Sequence, residues 1–149
     1  MKIEYHNLYI HYILITKHRF PFIKENSRIR IEKYITGIVA NTGSKLYSIY
    51  ANSDHVHFLV SRNPAVSDKE LLTRIAEASQ KFILENRLCN HGFMWQESAA
   101  AFSISKSDVD KVCKYIINQP EHHKKVNFQQ EYDEMIKFYQ QTIKWEMTK

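Results

Sequence analysis

A chain of 149 residues, 44% of them hydrophobic, is large enough for one packed core, and with three Gly and three Pro it has no linker to divide it. The formal net charge of +5 and the isoelectric point near 9.1 suit an acidic partner, nucleic acid among others, without choosing one. The apolar run "LYIHYILI" is too short to span a bilayer and "MKIEYHNLY" lacks the apolar core of a secretory leader, so a single cytoplasmic domain over 1–149 is expected. Cys89 and Cys113 stand alone, without metal-type spacing, as a reducing compartment allows.

"NLYIHYILITK" (7–17), rich in β-branched and aromatic residues, reads as a central strand. "SRIRIEKYITGIVANTG" (27–43) carries Ile31, Ile35, Ile38 and Val39 at helical spacing and ends near Gly43. "KLYSIYANSDHVHFLVS" (45–61) reads as two strands joined by Asn52, Ser53 and Asp54. Ser67 and Glu70 form a capping box ahead of the stripe Leu71, Ile75, Ala78 and Phe82. A fourth strand or extended segment covers 93–105. Ser107 with Asp110 opens a further helix that Pro120 is expected to stop, and a last helix begins near Phe128 with Tyr132, Met135, Tyr139 and Ile143 on one face. The order β-α-β-β-α-β followed by two helices predicts an α+β, ferredoxin-like antiparallel sheet, as in RNA-recognition folds. Its two crossover helices cover one face and leave the other open.

Two stretches carry candidate chemistry. In "DHVHFLV" (54–60) the period of two sends Val56, Phe58 and Val60 to one face and His55, His57 and Leu59 to the other. Two imidazoles side by side on the uncovered face can grip a metal ion; two ordinary half-exposed histidines would look the same. In "SDVDKVCKYIINQP" the residues Val109, Val112, Cys113, Ile116 and Ile117 form an apolar stripe, and Tyr115 falls about 130° from its centre. Gln119 lies one turn beyond Tyr115 and Lys111 one turn before it. A phenol kept off the core beside an amide and a lysine suits a nucleophile, and a plain surface tyrosine is the competing reading.

"HVH" is a His-hydrophobic-His pattern, and "KYIINQPEHH" follows it by about sixty residues. With "ITKHRFPFI", "DHVHFLVS", "WQ" at 95–96, "AFSIS" at 101–105, "YIINQ" at 115–119 and "HH" at 122–123, the chain resembles the single-tyrosine HUH transposases of small bacterial insertion sequences. REP-associated tyrosine transposases are close relatives of that group. The resemblance implies that His55 and His57 bind a divalent ion, Mg2+ or Mn2+, that Gln119 completes the site, and that Tyr115 attacks DNA. It implies a 5′-phosphotyrosine, a free 3′-hydroxyl, and no need for ATP. It further implies single-stranded DNA with hairpins as substrate and a homodimer, the tyrosine helix of one subunit completing the histidine site of the other.

Lys17, His18 and Arg19 in "TKHR", Lys111, and His122, His123, Lys124 and Lys125 in "HHKK" are candidate DNA contacts, each of which also reads as a solvated edge. Ser98, Ala99 and Ala100 stand where many members of that family carry a glycine-tyrosine-glycine run, a departure that reads either as an altered DNA-contacting loop or as lineage drift. Three alternatives compete. A non-catalytic single-strand binding module predicts an RNP aromatic pattern that the strands lack. A structural zinc site requires four ligands, and Cys89 with His91 does not extend the pair convincingly. A domesticated relative acting on host repeat hairpins would use the same residues as a mobile one.

Overall fold

The computed structural model describes residues 1–89 and 92–137. The chain divides into two compact units, Met1–Ile117 and Asn118–Lys149. His91 and the expected helix positions Tyr139 and Ile143 lie outside the described residues. No described helix is long and apolar enough to cross a membrane.

In the first unit the elements run β1 (Tyr9–Thr16), α1 (Glu25–Asn41), β2 (Lys45–Ala51), β3 (His55–Ser61), α2 (Asp68–Glu85), β4 (Trp95–Ile104) and α3 (Val109–Ile117). The four strands form one sheet in the order β2-β3-β1-β4, every neighbouring pair antiparallel. This is the expected ferredoxin-like arrangement. Residues β-branched or aromatic at alternate positions favour such a pleated surface, because each side chain packs against its cross-strand neighbours.

Tyr12, Leu14, Val56, Phe58 and Val60 point to one face, where they pack with Ile31, Ile35 and Val39 of α1 and Leu71, Ile75 and Ile83 of α2. Helix α1 begins two residues before the expected Ser27, whose hydroxyl instead donates to the Leu88 carbonyl at 3.1 Å. It ends before Gly43, whose φ of +76° is a left-handed turn that a side chain resists. At α2 the cap is as read: the Ser67 hydroxyl accepts from the Glu70 N–H at 3.0 Å. Behind that cap the Tyr12 hydroxyl donates to Asp68 Oδ1 at 2.5 Å, and Arg62 Nε lies 2.9 Å from the same oxygen. Burial first, and then the bond to Asp68, push the ionisation of Tyr12 upward.

The opposite face is not open. Helix α3 packs across it against β2 and β3, seated by the fully buried Ile116, and the Ser48 hydroxyl donates to the Cys113 carbonyl at 3.4 Å. An apolar helical stripe needs a surface to cover, and this half of the sheet supplies it. Two readings of the helix change. Its approach is a 3-10 turn, Lys106–Asp108, with Ser105 rather than Ser107 at the cap position. Its end is Ile117, not Pro120; Ile117 at that end is exposed, and Pro120 sits in the first turn of a short helix, α4 (Gln119–His122). Proline is tolerated there because the first N–H groups of a helix have no partner inside it.

The second unit contains α4 and a further helical segment, 128–137. Phe128 and Tyr132 pack ring to ring at 5.6 Å within it.

Candidate active site

Strands β1 and β3 are the two central strands, and their register sets the site. His11 lies opposite Leu59, Ile13 opposite His57, and Ile15 opposite His55. His11, His55 and His57 therefore share the face under α3, and all three are buried, at 3%, 2% and 0% exposure. The pair expected on an uncovered face is part of a buried trio, which rules out two ordinary half-exposed histidines. Burial of this kind demands hydrogen-bond partners for the ring nitrogens.

Those partners are specific. His55 Nδ1 lies 2.6 Å from Asp54 Oδ1, and its Nε2 lies 3.1 Å from the Asn52 amide nitrogen. His57 Nδ1 lies 2.9 Å from His11 Nε2. The His55 and His57 rings are 5.1 Å apart and nearly perpendicular, at 78°. Asp54 and Asn52, read from sequence only as turn residues, are thus side-chain partners of the first histidine. His11 belongs to no sequence motif and stands as one polar residue in an apolar strand.

Tyr115 completes the grouping from above. It is half-buried, its ring 5.8 Å from that of His57 at 89° and 6.3 Å from that of His11 at 72°. A tyrosine off the apolar stripe is therefore not a surface tyrosine here; α3 lies over the histidines, so that side of the helix meets them. Phe102 of β4 packs edge-on against His11 at 6.4 Å and closes the trio on the β4 side.

The second unit holds a compact group of its own. Gln119 Oε1 accepts from His123 Nε2 at 2.6 Å, and His122 Nε2 lies 2.6 Å from Glu131 Oε2. The two histidines read as phosphate contacts are thus already engaged with side chains. Glu131 carried no signal in the sequence. Lys124 pairs with Glu121 at 3.0 Å on the exposed surface, and Lys125 and Lys111 are exposed.

Lys17, His18 and Arg19 form a 3-10 turn directly after β1, with φ of 56° at His18 and 55° at Arg19. Two successive non-glycine residues in the left-handed region cost free energy that the surrounding structure must offset. Thr16 offsets part of it, its hydroxyl bonding to the Phe20 carbonyl at 2.8 Å and the Asp54 carbonyl at 3.0 Å. Lys17 and His18 also line a cavity of about 600 Å³ with Met94, Trp95, Gln96, Glu97 and Ser98. Ser98, Ala99 and Ala100 belong to β4, where Ala99 and Ala100 pair with Leu14 and Ile13. They are a strand segment, not an altered loop.

Residues 4–119 match the profile of the family described as "Transposase IS200 like". The chain belongs to that family. Its fold is similar to that of a candidate transposase from Deinococcus radiodurans, with a TM-score of 0.61 and 20% identity over 80% of this chain and 96% of that one. It is also similar to a REP-associated tyrosine transposase bound to a REP hairpin, with a TM-score of 0.59 and 14% identity over 84% of this chain and 76% of that one. No curated protein matches. In this IS200-like transposase the family match spans the three histidines, Tyr115 and Gln119.

The metal expected from the resemblance can be tested against the donors present. Asp54, as a carboxylate, accepts the Nδ1 proton of His55, so the lone pair is on Nε2, where an ion would take the place of the Asn52 amide hydrogen bond. His57 has Nδ1 turned to His11, so Nε2 is the nitrogen it could offer an ion. Histidine ligands are typically held in this way through the nitrogen that does not bind the ion. The residues fit a divalent ion.

Proposed function

We propose that this protein cuts and rejoins single-stranded DNA at hairpin-bearing ends of an insertion sequence, acting in the cytoplasm as one transposase domain over 1–149. The observation that carries the proposal is Tyr115 standing against the ring of His57 within a chain of the IS200-like transposase family. His55, His57 and Gln119 are the proposed ligands of Mg2+ or Mn2+. When bound, the ion supplies Lewis-acid polarisation of the scissile phosphate.

The chain's own groups then have simple tasks. The Tyr115 phenolic oxygen forms a bond to phosphorus as the bond to the 3′-oxygen breaks. The phenolic proton is given up and the leaving 3′-oxygen gains one, so a 5′-phosphotyrosine and a free 3′-hydroxyl result. That ester retains the energy of the phosphodiester, and attack by a 3′-hydroxyl on it rejoins a strand. Burial of the histidines holds the reacting groups in one geometry, which is where much of such a rate acceleration arises.

The solved relative bound to a REP hairpin supports an imperfect palindrome as the ligand. Exposed Lys17, His18, Lys111, Lys124 and Lys125, with Arg19, are the proposed phosphate contacts. His122 and His123 are proposed to join them at the DNA while tied to Glu131 and Gln119. A homodimer is proposed on the family pattern. Tyr115 beside His57 of its own chain supports sites assembled within each chain, so mixing Tyr115→Phe with His57→Ala protein is expected to restore no cleavage. Restoration would show that tyrosine helices are exchanged.

The central test uses a labelled single strand carrying a palindrome from the DNA flanking the gene, with Mn2+ present. Wild type should leave a covalent protein–DNA adduct on a denaturing gel; Tyr115→Phe should bind the hairpin and leave none. An adduct that persists in that variant and maps to another tyrosine overturns the mechanism.

A further inference from the structure

We propose that His11 is the positioning residue for His57, accepting its Nδ1 proton and so holding it in the tautomer that presents Nε2 to the metal. The proposal rests on the reading of His55 and His57 as a metal pair. Its basis is the 2.9 Å contact between His11 Nε2 and His57 Nδ1 in the middle of the sheet, with both rings buried.

Two neutral imidazoles facing each other through one nitrogen apiece hold one proton between them. Either His57 donates from Nδ1 and keeps Nε2 free of hydrogen, or His11 donates and the proton of His57 sits on Nε2. Only the first leaves His57 a ligand. His55 has no such choice, because its Nδ1 faces a carboxylate that can only accept.

At His57 the same task falls to an imidazole, and the location explains why. His11 lies on β1, between β3 and β4, at 3% exposure. A carboxylate there would carry a charge stripped of water, which is unfavourable. A neutral histidine accepts the same proton without that charge. Its ring is held at a tilt of 35° to His57, with 5.1 Å between centroids, and Phe102 packs edge-on behind it. Substituting His11 should therefore disturb His57 without disturbing His55.

The test measures tautomer and metal affinity separately. In metal-free protein labelled with 15N-histidine, long-range 1H–15N spectra at mildly alkaline pH report which nitrogen of His57 is protonated. Wild type should show the Nδ1–H form. His11→Phe should move His57 toward the Nε2–H form and weaken Mn2+ binding by about 10- to 100-fold. His11→Gln, whose amide oxygen can accept at nearly the same place, should restore both to within a few-fold.

An Nε2–H tautomer of His57 in wild type overturns the proposal, and that result needs no variant to fold. If His57→Ala abolishes Mn2+ binding while His11→Phe leaves it unchanged, the positioning role fails and the metal pair stands. If neither His55→Ala nor His57→Ala alters Mn2+ binding, the metal reading fails and carries this one with it.

Discussion

Ile116→Ala should release the helix that carries Tyr115 without unfolding the sheet. Helix α3 spans nine residues, Val109–Ile117, and Ile116 is its one fully buried side chain; Val109, Val112 and Cys113 are half-buried. A helix this short has no stability of its own in water, so once undocked it unravels. Removing three carbons from a packed isoleucine costs about 2–5 kcal/mol. Taken from the docking of α3 alone, about 2 kcal/mol shifts the docked-to-open ratio by about 30-fold. Hydrogen exchange reads that ratio directly: amides of residues 113–117 should exchange about 30-fold faster or more, while those of β1 and β3 change far less. Adduct formation should fall alongside, because Tyr115 no longer stands at His57. The control is Ile35→Ala, the same residue type on the inner side of α1 in the main core. It should accelerate exchange in every strand and lower Tm by about 5–15 °C. Equal acceleration of β1, β3 and α3 amides by Ile116→Ala would refute the reasoning, since α3 would then be part of one cooperative unit with the sheet. Unchanged exchange in α3 would refute it equally.

Three further outcomes are expected. Asp54→Ala removes the acceptor for His55 Nδ1 and should weaken Mn2+ binding about 10- to 100-fold in a calorimetric titration, with hairpin affinity nearly unchanged. Lys17→Ala should weaken hairpin binding across all sequences and reduce the slope of log K against log salt by about 1, whereas an unchanged slope removes Lys17 from the phosphate contacts. Tyr12, pushed upward by burial and Asp68, keeps its proton in the folded state at pH values where the unfolded chain has lost it. Above about pH 10 the unfolded state therefore binds fewer protons, and this group's contribution to stability declines as pH rises. Tyr12→Phe should show a shallower fall in Tm across that range, and a parallel fall in the two proteins would count against the argument.

The fold could be read from sequence because its signals are local. β1 has its own run of β-branched and aromatic residues, α2 has a capping serine, and the order of elements restricts the sheet to few arrangements. What failed were features set by long-range cover. The sequence of β3 assigns His55 and His57 to one face, yet nothing within β3 says that α3 will lie on it. Ile117 joined the apolar stripe by spacing, but a stripe position is buried only where the helix still has sheet beneath it. Pro120 signals that a helix cannot continue through it, and it is equally at home in a helix's first turn; the break two residues earlier, at Asn118, has no such marker. Ser98, Ala99 and Ala100 were read through a family loop, when small residues beside β1 serve as strand.

The site shows the same division between local and relational information. Tyr115 and the "HVH" pair were found because each belongs to a short pattern whose spacing carries chemistry. His11 belongs to none. It sits in "YIHYILI" as one polar residue in an apolar strand, and its meaning depends on His57, forty-six positions further along the chain, being brought alongside. One signal was nevertheless present. In the expected topology β1 and β3 are the central pair, and His11 shares its parity with Ile13 and Ile15, which lie opposite His57 and His55. A histidine at the centre of a sheet needs a partner for each ring nitrogen or pays for its absence. On that face the predicted β3 offers the two histidines and, at its far end, Ser61. The need of a buried polar side chain on β1 for partners across the sheet is what ties the third histidine to the site.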